Sequence, residues 1–219
     1  MPAEGTLRDG TAAGFELIET MRWEPDAGFV RLGLHLGRLL ASAHALGFAA
    51  DADAVAKALR QCEGARTPLR VRLALARDGE VNVATAPFVP LPAGTEWTLR
   101  IARARSDSAD PLLRHKTTRR QGYEAARSEF SHEEADEVLL LNERGEACEG
   151  AITNLFIDIG EPVLATPALG CGLLPGVLRG EMIEQGLAKE AILTPADLRA
   201  ARAVHVGNSL RGLIRARLA

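Results

Sequence analysis

The chain has 219 residues, of which 47% are hydrophobic and 25% charged, with a net charge of −3. This is ordinary globular composition, sufficient for one large domain or two small ones. The slight acidic excess argues against a nucleic-acid surface, and no apolar run approaches the ~18 residues of a membrane helix.

The opening MPAEGTLRDG shows no apolar stretch after a basic start, so no signal peptide is expected. Gly14 to Trp23 alternates apolar and polar residues and predicts a strand. Asp26-Ala27-Gly28 is a turn, and FVRL reads as a short second strand. Leu34 to Phe48 predicts a helix with Leu32, Leu36, Leu39, Leu40, Ala43 and Leu46 on its apolar side and Gly47 as its stop. Asp51 and Asp53 are candidate caps for a second helix with the stripe Val55, Leu59 and Cys62. Strands follow at Leu69 to Ala76, Val81 to Phe88 and Trp97 to Ala102, with Asp78-Gly79 a hairpin signal between the first two. The turn-rich Ser106 to Pro111 reads as a link. The expected domains are therefore residues 1–105, a small α/β unit with an antiparallel sheet, and residues 106–219. The second part predicts a helix over Thr118 to Phe130, then strands at Glu137 to Asn142, Ala147 to Asp158 and Pro162 to Thr166. A helix from Pro175 to near Lys189, short pieces at Ala191 to Leu193 and Ala196 to Ala200, and a strand at Ala203 to Val206 complete it.

Lysine is scarce: Lys57, Lys116 and Lys189 stand against 23 arginines. A lysine can lose its proton and attack a carbonyl, whereas a guanidinium stays charged. Lys57 and Lys189 fall in predicted amphipathic helices, as solvated side chains. Lys116 falls in DPLLRHKTTRR, where a nucleophilic amine and a plain basic linker are both open readings. Cys62, Cys148 and Cys171 are scattered, which fits a reducing cytoplasm better than a disulfide framework. The five histidines show no metal-ligand spacing, and the common nucleotide and serine-hydrolase signatures are absent.

Four places could together hold a phosphorylated aromatic aldehyde. Lys116 is the candidate amine. Glu149, in an apolar strand where an unpaired charge is costly, is a candidate acid for a ring nitrogen, with a solvated strand face as the alternative. LLPGVLR at 173–179 opens a helix whose free N–H groups suit an anion, and GNSLRG at 207–212 sets small polar residues after a strand. His35, Arg38 and Ser42 share one helix face, turned either to a cleft or to solvent.

Taken in order, six segments carry a resemblance: ET at 19–20, HLGRL at 35–39 with SAHALGF at 42–48, HKTTRRQGYEAAR at 115–127, LLLNERGEACEGAITNLF at 139–156, GLLPGVLRGE at 172–181 and GNSLRG at 207–212. Across nearly the whole chain they resemble the fold-type IV pyridoxal-phosphate enzymes, aminotransferase class IV. This family includes branched-chain and D-amino-acid aminotransferases and 4-amino-4-deoxychorismate lyases, and the pattern is most similar to short lyase domains fused to aminodeoxychorismate synthase component I.

The resemblance implies an α+β (α/β) two-domain fold like that of D-amino-acid aminotransferase, with antiparallel sheets and flanking helices. It implies pyridoxal 5′-phosphate as cofactor, joined to Lys116 through a Schiff base, with Glu149 at the pyridine nitrogen. Arg38, the backbone of Val177 and Leu178, and Ser209 would hold the phosphate, with Asn154 shaping the pocket. Tyr123, seven residues after Lys116, lies further on than the cofactor tyrosine of the branched-chain enzymes and remains a secondary candidate. The implied reaction converts 4-amino-4-deoxychorismate to p-aminobenzoate and pyruvate. The alternatives are a class IV aminotransferase acting on branched-chain or D-amino acids with 2-oxoglutarate, and a non-catalytic binding domain on the same fold. A small-molecule substrate, a homodimer and a synthase that supplies the substrate are the expected partners, with no nucleic acid, membrane or metal.

Overall fold

In a computed structural model, residues 14–219 are described, so the opening segment read above for a signal peptide lies outside them. The first sheet has the order β2-β1-β3-β4 and is antiparallel throughout: β1 (Leu17–Glu24), β2 (Gly28–Phe29), β3 (Leu69–Leu75) and β4 (Val81–Pro87). Its apolar face packs under α1 (Leu32–Leu46) and α2 (Ala52–Leu59), burying Leu17, Met21, Leu39, Ala43, Val55, Leu59, Val71, Leu73 and Leu75. Each such leucine or valine contributes about 1.5–3 kcal/mol by leaving water. The local signals work as read. Gly47 ends α1 in the left-handed conformation at φ 69, Asp51 caps α2 by accepting from the Asp53 N–H, and Gly79 at φ 96 closes the β3–β4 hairpin.

The second sheet has eight strands in the order β10-β9-β8-β11-β12-β5-β6-β7: β5 (Glu96–Ser106), β6 (Glu137–Asn142), β7 (Ala147–Gly150), β8 (Asn154–Asp158), β9 (Leu164–Pro167), β10 (Ala188–Ala191), β11 (Ala203–Asn208) and β12 (Gly212–Leu218). It is mixed, which corrects the expectation of antiparallel sheets: β5 runs parallel to both β6 and β12, and β9 to β10. Helix α3 (Gln121–Arg127) lies in the crossover from β5 to β6 and α4 (Val177–Glu184) in that from β9 to β10, while α5 (Pro195–Ala200) leads from β10 into β11. Strand β5 joins this sheet, so sheet membership changes between β4 and β5 rather than at residue 106.

Only Phe29 of the expected FVRL strand lies in β2, Leu32 already opens α1, β12 has no counterpart in the sequence reading, and three longer elements come out differently. The strand read over Ala147 to Asp158 folds back on itself as β7 and β8, pairing Glu149 with Asn154. The reversal is held by the buried Glu137 carboxylate, which accepts from the N–H groups of Ala151 and Ile152 and from the Thr153 hydroxyl. A helix expected from Thr118 starts only at Gln121, because the Thr118 N–H is drawn to the Glu16 carbonyl. Finally α4 begins at Val177 with Gly176 as its cap and stops at Glu184. Gly186 turns left-handed at φ 68, and Lys189 falls on β10, paired with Glu161.

Candidate active site

A cavity of about 700 Å³ opens between the two sheets. Lys116 lies on an extended segment docked against β1: its carbonyl accepts from the Ile18 N–H at 2.9 Å, and Thr117 bridges Leu17. The lysine thereby sits where the first sheet meets the second and lines the cavity. Burial, with the nearby charges of Arg120 and Arg38, pushes its ammonium down to about 7. Much of the amine is then unprotonated at neutral pH, as a nucleophile or proton carrier requires.

Glu149 lies on β7, 5% exposed, and lines the same cavity. Its Oε1 accepts from the Tyr123 phenol at 2.7 Å and the Leu174 N–H at 2.9 Å. Its Oε2 accepts from Asn154 Nδ2 at 3.3 Å. Burial outweighs these donors and lifts the carboxyl to about 7. The cross-strand pairing of β7 with β8 brings Asn154 beside it, and Asn154 also donates to the Leu174 carbonyl at 3.1 Å. A Cβ on Gly176 would overlap Asn154 Oδ1, so only glycine lets the start of α4 approach this closely. Tyr123 is held from behind by Arg120, whose guanidinium lies 4.9 Å from the ring centroid and donates to the Ala151 carbonyl at 2.6 Å.

Arg38 lines the same cavity. Its Nε and Nη2 form a fork onto Glu19 at 2.8 and 2.6 Å, and Nη1 donates to the Pro175 carbonyl at 3.2 Å, just before α4. His35 Nδ1 meets the same carboxylate at 2.6 Å, and its Nε2 meets Ser209 Oγ at 2.8 Å. Burial alone would raise the Glu19 carboxyl, but the Arg38 charge and the hydrogen bonds from His35 and Arg38 hold it at about 2. Losing one member of such a buried pair costs about 3–5 kcal/mol. Ser42, the third residue of that helix face, meets His115 Nδ1 at 2.9 Å.

The structure thus brings Lys116, Glu149, Arg38, Asn154, Val177 and Ser209 to one cavity. Leu178 sits one step behind, its side chain packed on Phe156 and Met182, with its N–H in the first turn of α4 where no intrahelical acceptor exists. Glu19, Arg120 and Glu137 are site-forming residues that the sequence reading did not single out. Glu19 did leave a signal, since it shares the odd-numbered register of Leu17 and Met21 on β1 and is a lone carboxylate on a buried face. Arg120 left only its place in the segment 115–127, and Glu137 left none.

An amine near neutrality, a buried acid in the same cavity and a cationic, glycine-opened helix start match the aldehyde, ring nitrogen and phosphate of pyridoxal phosphate in kind and number. Among the described residues, no group of three or more His, Cys, Asp or Glu could hold a metal, and no helix is long and apolar enough to cross a membrane.

The family model for amino-transferase class IV matches residues 16–219. A Schizosaccharomyces pombe protein named "Putative aminodeoxychorismate lyase" is 30% identical over 89% of this chain and 86% of its own length. A solved Mesorhizobium loti structure described as a "Putative amino-acid aminotransferase" superposes with a TM-score of 0.92 at 57% identity, covering 94% of this chain and all of that one. A Pseudomonas aeruginosa 4-amino-4-deoxychorismate lyase structure shares the fold, with a TM-score of 0.78 at 23% identity over 93% of this chain and 82% of that one. The chain belongs to the class IV aminotransferase family and is a pyridoxal-phosphate-dependent enzyme.

Proposed function

We propose that this family member is a lyase that converts 4-amino-4-deoxychorismate to p-aminobenzoate and pyruvate. The observation that carries the reading is the charge of the cavity. Besides Lys116 and Arg38 it is lined by Arg70 and Arg72 on β3, Arg105 on β5, Arg119, Arg120 and Arg211, which outnumber the carboxylates of Asp107, Asp110, Glu124 and Glu149 in the same lining. Such a wall suits a substrate with two carboxylates and one amine better than a branched-chain amino acid, which needs an apolar pocket. The 30% identity to the Schizosaccharomyces pombe protein over most of both chains points the same way.

Pyridoxal phosphate supplies an aldehyde that condenses with amines and a protonated ring that withdraws electrons from the adjoining carbon. Lys116 would hold its aldehyde end, Glu149 its ring nitrogen, and Arg38 its phosphate, with the Val177 and Leu178 N–H groups and Ser209. Once the substrate amine has taken its place, the Lys116 amine is free to accept a proton at Nζ and return it, and a group poised near pH 7 does both well. Glu149, braced by Tyr123, Leu174 and Asn154, carries the negative charge that keeps a neighbouring ring nitrogen protonated. Asn154 and Gly176 set the spacing between that acid and the phosphate end. The arginines would orient the substrate carboxylates, and the gain of aromaticity drives the elimination.

An aminotransferase using the same residues is the second reading, favoured by the 57% identity to the Mesorhizobium loti protein. The two separate on one assay: pyruvate released from 4-amino-4-deoxychorismate without a keto-acid acceptor, with Lys116→Ala as control. We expect release by the native enzyme and at least a 10³-fold loss in the variant. No release, alongside turnover of branched-chain or D-amino acids with 2-oxoglutarate, overturns the lyase assignment. As the family is typically dimeric, we read the working unit as a homodimer supplied by an aminodeoxychorismate synthase. Three free, buried cysteines suit the reducing cytoplasm in which we place it.

A further inference from the structure

We infer that Glu19 is the positioning residue of the phosphate cradle, a single carboxylate that registers two of its walls. The inference rests on the assignment of Arg38 and Ser209 to the phosphate. Glu19 itself does not line the cavity and is 1% exposed, so it acts only through other side chains. Its Oε1 accepts from Arg38 Nε; its Oε2 accepts from Arg38 Nη2 and from His35 Nδ1. Through Arg38, whose Nη1 reaches the Pro175 carbonyl, the carboxylate fixes the guanidinium against the start of α4. Through His35 it reaches the turn between β11 and β12. A carboxylate can only accept, so it holds a proton on Nδ1, and the far side of the ring, Nε2, meets Ser209 Oγ at 2.8 Å and fixes where that hydroxyl sits. Arg31 strengthens the same joint: its Nη1 donates to the Ser209 carbonyl at 3.3 Å and its Nε to Glu181 on α4 at 2.7 Å.

Two features make this more than a buried ion pair. The partners come from β1, α1, α4 and the β11–β12 turn, so the first sheet sets the geometry of a cradle whose floor belongs to the second. Glu19 also faces three donors and presents none of its own. An amide there would point its own N–H₂ at Arg38 or His35, and one of the two walls would turn away.

The test titrates the cofactor-free protein with pyridoxal 5′-phosphate and, separately, with pyridoxal, which lacks the phosphate. The ratio of the two dissociation constants isolates the cradle from the rest of the pocket. We expect Glu19→Gln to lower that preference at least tenfold while leaving pyridoxal affinity within about threefold, and Glu19→Asp to recover part of it. Equal loss for both ligands, or an unchanged ratio, overturns the inference. His35→Ala gives a second reading should Glu19→Gln not fold: it should lower the ratio, and adding Ser209→Ala should lower it little further. Fully additive effects of that pair also overturn it. A native protein with no preference for the phosphate ester sinks the phosphate assignment itself, an outcome distinct from a preference that survives Glu19→Gln.

Discussion

Glu19 and Glu149 are both almost fully buried, 1% and 5% exposed, yet their carboxyls move in opposite directions, to about 2 and about 7. Burial raises both. The difference lies in the partners. Glu19 is gripped by a guanidinium fork and an imidazole, whereas Glu149 has a phenol, a backbone N–H and an amide, with the charges of Lys116 and Arg120 acting from further off. Glu137, satisfied only by backbone and hydroxyl donors, is pushed up as well. Of these three buried carboxylates, only the one bonded directly to a cation is held well below the ordinary range. Glu19 and Arg38 form a locked anchor, while Glu149 and Lys116 keep an acid and an amine near the pH at which protons move.

The sharpest way to break this contrast is Glu149→Gln. If the negative charge of Glu149 matters to the reaction, kcat should fall by roughly 10²–10³ with the fold intact, as for the loss of one preorganised charged group. A loss under about threefold would mean the site is held by shape alone.

Next in size is Lys116→Met, read as stability of the cofactor-free protein against pH. The folded-state value of Lys116, about 7, lies below its ordinary 10.5, so the unfolded chain binds more protons between those values. The cost of burying the charged amine is full below about pH 7 and vanishes as pH rises through 10.5. Native stability should thus climb relative to the methionine variant by about 2–4 kcal/mol across that window. Parallel denaturation curves at pH 6, 8 and 10 for the two proteins would show that the amine is solvated after all.

The smallest effect is expected from Tyr123→Phe, which costs about 1 kcal/mol in stability. The phenol donates to the ionised form of Glu149, so its loss should raise that carboxyl further. Activity depends on the ionised acid and falls as pH drops through its value, so the acid limb of the pH–rate profile should move to higher pH. A limb that stays put would detach Tyr123 from Glu149 in the working enzyme.

By itself the sequence determined what is set within a few residues: the α1 stop at Gly47, the Asp51 cap, the Asp78-Gly79 hairpin, the alternation along β1 and the oddness of one lysine among so many arginines. The order of six short segments carried the family and most of the cavity residues. Tertiary structure alone decided that β5 crosses to the second sheet, that Glu137 breaks the expected strand into β7 and β8, that Tyr123 lies on Glu149, and that Glu19 joins Arg38 to His35. Periodicity and caps are local because they follow from the backbone's own geometry. The partner of a buried charge is not, since His35 and Ser209 meet from 174 positions apart, and which groups meet fixes both the cost of the charge and its chemistry.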